Sequence, residues 1–578
     1  MQLLKKSYRQ SQSQPIISRN PLIPASQDIF NYFKSSFGGD CAPSRPPSSQ
    51  SWSKNPNHII DPSYFSPSCI QNFLNTYPKN ISCGQDSIHQ NILAALENSK
   101  FYSDLSDFFS DCNEKCLTPP HWNLAIVKPI PKMKNSKYIS EFRPISLTSI
   151  IRRCYEKLFL TYLSTDPIVS PTLYLHESQG GFRSGYSTTS QALLAHESSV
   201  GDSKSIKVFV DLKKAYDRVP ITKLLTKLEN RKLPGNITRI IKSLFTNCSI
   251  TIAANGKLTK YVQIKIGLFQ GSILSPMLFN IFIDDLAEAI FALEKHSISK
   301  FPNITIPKLL LFADDIQLHD TSEDEMQMQL DILGKWVIEN EMEVNFEKTT
   351  VMASFQIKTQ LSILDTPLKN ESIFVYLGFP FRNCKIDFKT LISNNLEKAR
   401  RTLQSLRGYQ NIWTEYAKLM IFKTYISPIV EYGCGVTYQW IRINWQNRSY
   451  LFENLDNFLA EALNWIFNIK GQVSIKLKLT GLCSFEHRFS ELAYRLAIHL
   501  FKCTESNPTS RFLQAGKGIL HQQSILPRCF THPNFNPNSD FSSYDLRMIY
   551  IAEITKGKTL CEVVRFKPNY KKLFETLI

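Results

Sequence analysis

Two separate groups of aspartates have the residue types and neighbours that metal-dependent phosphoryl chemistry requires. Asp211 ends the apolar, β-branched run in IKVFVDLKKAYDRV, directly before the spacing of apolar residues changes to that of a helix. A carboxylate at the end of a buried strand is held in place and still faces solvent. A single aspartate at such a position usually does no more than start a turn, so Asp211 is informative only if it has partners.

The partners occur about a hundred residues further on, in KLLLFADDIQLHD. An apolar run precedes Asp314 and Asp315, and apolar and polar residues alternate after them. This pattern predicts a hairpin with two acids at its tip. Aspartate is common in solvated turns, but two adjacent acids between two strand patterns are less easily explained in that way.

If the two strands are neighbours in one sheet, Asp211 and Asp314 bring carboxylate oxygens to one point. Mg²⁺ prefers oxygen ligands and completes its octahedron with water and substrate phosphates, so two or three carboxylates suffice. Two such ions about 3.5–4 Å apart can hold the attacking and leaving oxygens of a phosphoryl transfer. The pattern therefore favours a polymerase or a nuclease.

The composition agrees with a polyanionic partner. The 578 residues include 67 Lys and Arg against 50 Asp and Glu, a formal charge of +17, and 43% are hydrophobic, which excludes wholesale disorder. Thirteen cysteines without a regular framework favour reduced thiols. The first residues lack the apolar core of a secretory signal, and no apolar stretch reaches about 18 residues. We therefore expect an intracellular protein that is not secreted and does not span a membrane.

Around these acids, strand and helix signals alternate over residues 122–355, which predicts a mixed core. Asn255-Gly256 between two β-rich runs predicts a hairpin turn, and residues 28–37 have the spacing of an amphipathic helix that docks onto later parts of the chain. Residues 382–442 hold ten Lys or Arg and four Asp or Glu in a helical pattern.

An ordered series of motifs resembles the reverse transcriptase of non-LTR (LINE-type, jockey-like) retrotransposons. The motifs are CGQDSI (83–88), WNLAIVKPIPK (122–132), EFRPISLTSI (141–150), QGGFRSGYST (179–188), FVDLKKAYDRV (209–219), GLFQGSILSPMLFNIFIDDL (267–286), LLLFADD (309–315), VNFEKT (344–349) and YLGFPF (376–381). A lone FADD would be a weak signal, whereas this order and spacing are specific.

The resemblance implies that Asp211, Asp314 and Asp315 are the palm acids. The first two would ligate two Mg²⁺ ions, which Mn²⁺ could replace, and the third would support them. The backbone carbonyl of Leu212 would be a further metal ligand, and Lys348 would protonate the departing pyrophosphate.

The resemblance also implies a nucleotide site. Tyr216 would stack beneath the sugar and leave no room for a 2′-hydroxyl, while Gln270 and Gly271 would contact the nucleotide or template from a turn. Lys132 and Arg143 would bind the triphosphate, Arg through paired hydrogen bonds and Lys as a point charge.

Other positions are implied less directly. Phe182 and Arg183 would contact the template, whereas Asp217 is expected to order its loop rather than bind metal. The family usually has proline where this sequence has Phe269, a departure that could alter the turn. Most aromatic residues of the basic helical stretch are expected to be core.

The implied fold class is α+β, a right-hand polymerase with fingers, a palm with an antiparallel sheet, a helical thumb, and helical N- and C-terminal extensions. The expected domains are a polar, largely disordered segment (1–60), a helical lead-in (61–118), reverse transcriptase fingers and palm (119–380), a helical basic thumb (381–445) and a helical C-terminal region of unknown role (446–578).

The expected function is RNA-directed DNA polymerase, extending a primer 3′-hydroxyl. Its partners would be an RNA template, a DNA primer, deoxynucleoside triphosphates and an endonuclease supplied by another chain, with action in the nucleus. Two alternatives stay open at this point. One is a decayed or domesticated copy that binds nucleic acid without catalysis. The other is an RNA-directed RNA polymerase, in which a smaller or hydrogen-bonding residue would replace Tyr216 and glycine would replace Ala313.

Overall fold

A computed structural model describes residues 26–37, 55–96, 99–132, 138, 141–200, 202, 204–254, 256–294, 306–409, 411–443, 448–468, 473–503 and 507–515. Most of the polar segment 1–60 and residues 516–578 of the C-terminal region lie outside these ranges. The helices are α1 (Ser26–Ser36), α2 (Pro67–Thr76), α3 (Gln90–Ala94), α4 (Ser99–Lys115), α5 (Ile150–Thr165), α6 (Thr188–Glu197), α7 (Ala215–Arg218), α8 (Ile221–Asn230), α9 (Gly235–Phe245), α10 (Ser275–Glu294), α11 (Glu323–Glu339), α12 (Phe388–Leu406), α13 (Glu415–Ile421), α14 (Ser427–Glu431), α15 (Cys434–Ile443), α16 (Arg448–Phe467), α17 (Val473–Thr480), α18 (Phe485–Lys502) and α19 (Pro508–Ala515).

The strands are β1 (Leu124–Pro131), β2 (Phe142–Leu147), β3 (Ile206–Val210), β4 (Ser249–Ala254), β5 (Lys257–Leu258), β6 (Val262–Gln263), β7 (Leu309–Phe312), β8 (Asp315–Asp320), β9 (Thr350–Ala353), β10 (Ser362–Ile363), β11 (Thr366–Pro367), β12 (Lys369–Asn370), β13 (Ile373–Tyr376), β14 (Phe379–Arg382) and β15 (Lys385–Ile386). They belong to two compact units. The first unit is formed by residues up to Phe182, Asp211–Ala289 and Asp331–Asn345, and the second by Arg183–Val210, Ile290–Leu330 and the residues from Phe346 onward.

The first unit is built on a sheet in the order β2-β1-β4-β5, with β6 also paired to β4. The predicted amphipathic helix is confirmed as α1. Its Phe33, and Phe37 directly after its end, are buried one turn apart against β1 and β4. The predicted hairpin is confirmed by the pairing of Ala254 with Lys257. Gly256 in its turn has φ +75°, as a type I′ turn requires, and Asn255 lies outside the described residues.

The second unit is built on a sheet in the order β12-β9-β3-β8-β7. The central strand, β3, is antiparallel to β8 and β9, and all five of its residues are buried, which suits its content of valine, isoleucine and phenylalanine. The predicted antiparallel palm sheet is confirmed for these strands, although the edge strand β12 runs parallel to β9.

The second unit also contains the small sheets β10-β11 and β13-β14-β15, together with a group of helices. Asp387 caps α12 by accepting a hydrogen bond from the Thr390 N–H, and a buried apolar cluster joins α12 to α14, α16 and α18 through residues such as Leu396, Leu459 and Phe489. The α+β class with helical extensions is therefore confirmed. Across the described ranges, none of the helices combines the length and apolar character that crossing a membrane requires.

Candidate active site

In the second unit, the register between β3 and β8 fixes where the acid pair lies. Val210, the last residue of β3, pairs with Ile316. Asp315 and Asp314 precede Ile316, so the acids lie at the end of the sheet where β3 ends. Asp211 follows Val210 directly in the chain.

The hairpin with two acids at its tip is present as predicted. Phe312 pairs with Asp315, so Ala313 and Asp314 form a two-residue turn between β7 and β8. Asp315 is exposed and Asp314 half-buried. Ala313 has φ +56°, a left-handed conformation that costs a non-glycine residue about 1 kcal/mol. The turn therefore presents its carboxylates at a strained, tightly defined position.

In the first unit, Asp211 is held by Asn345. The side-chain Nδ2 of Asn345 donates to Asp211 Oδ2 at 2.7 Å, and its backbone N–H donates to the Asp211 carbonyl at 2.8 Å. Leu212 forms an isolated antiparallel bridge with Val344, but the hydrogen bonds of this bridge fall on the flanking residues, one of them from Lys213 N–H to Glu343 O at 2.8 Å. The bridge therefore leaves the Leu212 carbonyl unused.

Beside Asp211, one glutamate joins two cations. Glu343 accepts from Lys213 Nζ and from Arg218 Nη1, each at 2.5 Å. These hydrogen bonds and charges hold the pKa of the Glu343 carboxyl below its usual range. The network ties both ends of the segment after Asp211 to the segment that carries Asn345.

Tyr216 and Asp217 lie in the short helix α7. The Tyr216 ring stacks on Phe279, with 4.6 Å between ring centroids and an interplanar angle of 16°. Asp217 is buried and accepts a hydrogen bond from Gln270 Nε2 at 2.7 Å. This hydrogen bond supports the prediction that Asp217 orders a loop.

The turn that carries Gln270 and Gly271 is fixed by very close backbone contacts. Ser146 N–H donates to the Gln270 carbonyl at 2.8 Å. Gly271 has φ +143°, and a Cβ there would lie 2.3 Å from the Ser146 carbonyl oxygen, so only glycine fits. Gly267, at φ +102°, lies equally close to the Asp217 carbonyl, which a Cβ would approach to 2.6 Å.

The two predicted phosphate-binding cations lie on one hairpin of the first unit. Arg143 pairs with Ile130, and Lys132 follows two residues after Ile130, so the two cations belong to the same face of the β1–β2 ladder. The Lys132 N–H continues this ladder by donating to Glu141 O at 2.8 Å. Both cations are exposed.

The predicted template contacts, Phe182 and Arg183, and the predicted proton donor Lys348 differ in exposure. Phe182 is 66% exposed with φ +55°, and the Arg183 guanidinium lies 4.5 Å from the centroid of the Tyr186 ring. Lys348 is an exposed residue shortly before β9.

In the basic helical stretch, the expectation that most aromatics are core is wrong for three tyrosines. Tyr409, Tyr416 and Tyr425 are 52%, 67% and 70% exposed, whereas Tyr438 is buried. Cations at Arg401 and Arg407 are exposed in the same stretch. Aromatic rings and positive charges are therefore both exposed along this stretch of the chain.

The donor set suits Mg²⁺ in its chemistry, since it consists of carboxylates and a backbone carbonyl. Within the part of the chain that the structure describes, no group of three or more His, Cys, Asp or Glu side chains is gathered as a metal site. A Mg²⁺ ion held by one of these carboxylates would therefore need water and substrate oxygens to complete its octahedron.

Sequence reasoning missed the residues that hold the predicted ones in place. Asn345 and Glu343 are 134 and 130 residues from Asp211 and Lys213, so no local pattern links them. The only available signal was the position of Asn345 inside VNFEKT. The contact of Gln270 with Asp217 likewise joins two motifs whose residues are 53 positions apart.

Comparisons with known proteins relate part of this chain to polymerases. Residues 130–381 match the family model of reverse transcriptase (RNA-dependent DNA polymerase). A probable RNA-directed DNA polymerase from transposon BS of Drosophila melanogaster is 26% identical over 55% of this chain and 36% of its own length. The RNA-directed DNA polymerase from mobile element jockey of the same species is 23% identical over 64% of this chain and 41% of its own length.

A retrovirus-related Pol polyprotein from the type-1 retrotransposable element R2 of Popillia japonica is 27% identical over 40% of this chain and 39% of its own length. The chain thus spans roughly two fifths of the length of these relatives. Among solved structures, telomerase from Candida albicans aligns with 71% of this chain and 67% of its own, at 15% identity and a TM-score of 0.31. Over residues 130–381 the chain therefore matches the reverse transcriptase family model, and it is similar in sequence to the polymerases of non-LTR retrotransposons.

Proposed function

We propose that this chain is an RNA-directed DNA polymerase that extends the 3′-hydroxyl of a DNA primer with deoxynucleotides on an RNA template. The observation that carries the proposal is the pairing of Val210 with Ile316. The pairing supports the proposal because the acid pair directly precedes Ile316 on the neighbouring strand, and Asp211 is the residue that follows Val210 in the chain.

Asp211, Asp314 and the carbonyl of Leu212 would hold two Mg²⁺ ions, or Mn²⁺ in their place, and Asp315 would add negative charge beside them. Bound there, the ions would stabilise the charge that develops on the attacking and leaving oxygens. Asn345 supports this role because its amide fixes the orientation of the Asp211 carboxylate.

The nucleotide would lie against Tyr216, whose stacking on Phe279 holds the ring in one position. A ring so held would leave no room for a 2′-hydroxyl. Lys132 and Arg143, on one face of their hairpin, would bind the triphosphate, and Lys348 would give a proton to the departing pyrophosphate.

Template and duplex would be bound outside this centre. Phe182 and Arg183 would contact the template, with Gln270 and Gly271 beside the nucleotide. The helical stretch 381–445, with its exposed tyrosines and arginines, would hold the primer–template duplex by its backbone. Extension of a chromosomal DNA primer would take place in the nucleus.

The test is primer extension on an RNA template with Mg²⁺, comparing deoxynucleotides with ribonucleotides. We expect Asp314→Asn to abolish extension, because an amide cannot supply the carboxylate charge that the metals need. Asp324→Asn, which changes an exposed acid in the first turn of α11, is the matched control and should retain activity.

Loss of activity in both variants, or in neither, would contradict the role of Asp314. A preference for ribonucleotides would identify an RNA polymerase instead. A folded wild-type chain that binds primer–template without extending it would identify a copy that only binds nucleic acid.

A second variant tests the support of Asp211. We expect Asn345→Ala to lower kcat by about 10- to 100-fold, the range for loss of an outer partner of a metal ligand. The fold should survive, because the pairing of Leu212 with Val344 depends on backbone atoms. Single-nucleotide incorporation under saturating nucleotide gives kcat, and an unchanged value would show that Asp211 does not need the amide.

A further inference from the structure

Phe269, which stands where the resembling family usually has proline, is buried against an arginine. The guanidinium of Arg152 lies 5.2 Å from the Phe269 ring centroid and 5.4 Å from that of Phe245. Arg152 is itself fully buried and donates to the carbonyls of Trp122 and Leu244, at 2.6 and 3.3 Å. Contact with the Arg152 guanidinium therefore holds the Phe269 side chain in place at the position where the family usually has proline.

Glu156 connects the same arginine to the residues after the turn. Its Oε1 accepts from Arg152 Nε at 2.7 Å. Its Oε2 accepts from Ser272 Oγ at 3.0 Å and from the Ile273 N–H at 2.8 Å. Both side chains of this ion pair are fully buried. Through its two oxygens, the Glu156 carboxylate connects helix α5 to Ser272 and Ile273, which follow Gln270 and Gly271.

The turn held in this way reaches the candidate nucleotide site. Leu268 N–H donates to the Tyr216 carbonyl at 2.8 Å, and Gln270 Nε2 donates to Asp217. The Arg152 stacking fixes the residue just before Gln270, and Glu156 fixes the residues just after Gly271. A displacement of either end would move the backbone against Tyr216.

A buried ion pair is weak evidence for stability, since well-packed apolar residues often serve as well or better. The role of the Arg152–Glu156 pair here is to hold the neighbouring backbone in position. We infer that Arg152, Glu156 and Phe269 are positioning residues that set the Gln270-Gly271 turn against Tyr216 and Asp217, and thereby the affinity for the incoming deoxynucleotide. The effect on nucleotide affinity rests on the proposed function, whereas the position of the turn does not.

The first experiment measures the turn directly, without activity. Hydrogen exchange of the peptide covering Gly267 to Ile273 is compared in the wild-type chain, Glu156→Gln and Ser272→Ala. Ser272→Ala keeps the Arg152–Glu156 pair, so it remains informative if Glu156→Gln fails to fold. Thr238→Ala, which removes a buried hydroxyl that donates to the Pro234 carbonyl at the start of α9, is the matched control.

We expect exchange in this peptide to rise at least about fivefold in Ser272→Ala, which removes the hydroxyl that donates to Glu156 and accepts from the Leu274 N–H, and further in Glu156→Gln. The control should exchange as the wild type does. Unchanged exchange in Ser272→Ala, or an equal rise throughout the first unit, would overturn the inference.

The second experiment separates KM from kcat. For deoxynucleotides we expect Ser272→Ala to raise KM severalfold while kcat stays within about twofold, because a displaced turn weakens binding and leaves the acids untouched. A fall in kcat alone would contradict the assignment to nucleotide affinity. If the wild-type chain does not polymerise, the proposed function fails, and the exchange measurements still decide whether these residues position the turn.

Discussion

Lys207 lies in the middle of the central strand β3, where its ammonium is completely buried. Its Nζ donates to Ser198 Oγ at 2.5 Å, and His319 pairs opposite it on β8. Burial lowers the pKa of Lys207 from 10.5 to about 8, and the nearby Cys384 and Asp202 offset only part of this effect. We predict that Lys207→Met stabilises the protein at neutral pH.

The magnitude follows from the difference between the two pKa values. At 1.36 kcal/mol per pH unit, the fall from 10.5 to about 8 corresponds to a cost on the order of 3 kcal/mol. Below pH 8 both the folded and the unfolded states carry the proton, so the whole cost is present. Between about pH 8 and 10.5 the unfolded state holds more protons, and the stability of the wild type rises with pH.

The variant has no proton to lose, so its advantage must shrink as the pH rises. We expect it to be about 3 kcal/mol at pH 7 and less than half of that at pH 9.5. Loss of the Lys207 contact leaves Ser198 Oγ with its hydrogen bond to the Ala195 carbonyl at 3.0 Å, so no buried hydroxyl is stranded. Methionine is flexible enough to fill the space of the lysine stem.

The assay is urea unfolding at pH 7 and pH 9.5, followed by circular dichroism, for the wild type, Lys207→Met and the control Lys204→Met. Lys204 is exposed just before β3, so its replacement should change the free energy of unfolding by less than about 0.5 kcal/mol at both pH values. An advantage of Lys207→Met that is equal at the two pH values would refute the electrostatic reasoning, as would a variant less stable than the wild type at pH 7.

Two further predictions concern Tyr216 and His196. Tyr216→Val should raise ribonucleotide incorporation relative to deoxynucleotide incorporation by about tenfold or more, whereas Tyr216→Phe should not, because only the ring blocks the 2′-hydroxyl. Competition between the two nucleotides in primer extension measures this ratio. Equal ratios in both variants would disprove the steric role. His196 is buried, its Nδ1 accepts from the Ile386 N–H at 3.0 Å, and burial lowers its pKa to about 3, with the charges of Lys207 and Lys385 adding to the effect. Its neutral form should therefore stabilise the fold above about pH 6.5, and this stability should be lost progressively as the pH falls from there toward 3. His196→Asn, which keeps an acceptor oxygen, should weaken the acid dependence of unfolding by up to about 1.4 kcal/mol per pH unit, and an unchanged slope in urea titrations would count against the burial of a neutral imidazole.

The spacing of neighbouring residues was enough to predict where the candidate acids Asp211 and Asp314 lie in the strands and turns. The end of an apolar run located Asp211, and two flanking strand patterns located Asp314 at a hairpin tip, because a tight turn needs only neighbouring residues. Asn345 could not be predicted, since its contact with Asp211 depends on how two distant segments pair. The same reason hid Glu156, whose partners Ser272 and Ile273 lie more than a hundred residues away.

Exposure was the other quantity that the sequence could not supply. A lysine within a strand is normally expected to face solvent, yet Lys207 is enclosed because β3 has a partner strand on each side and packing on both faces. Conversely, Tyr409, Tyr416 and Tyr425 have the composition of core residues and lie at the surface. In both cases the outcome depends on the layers above and below the element rather than on its own spacing.

The central position of β3 has a consequence for synthesis on the ribosome. Its partners β8 and β9 begin at Asp315 and Thr350, so at roughly 5–20 residues per second the finished strand waits several seconds or longer before either has been made. During that interval IKVFV is an unpaired, β-prone segment of the kind that seeds aggregation, and Lys207 is the one charge that interrupts it. We therefore expect the lysine that weakens the completed sheet to limit aggregation of the nascent strand.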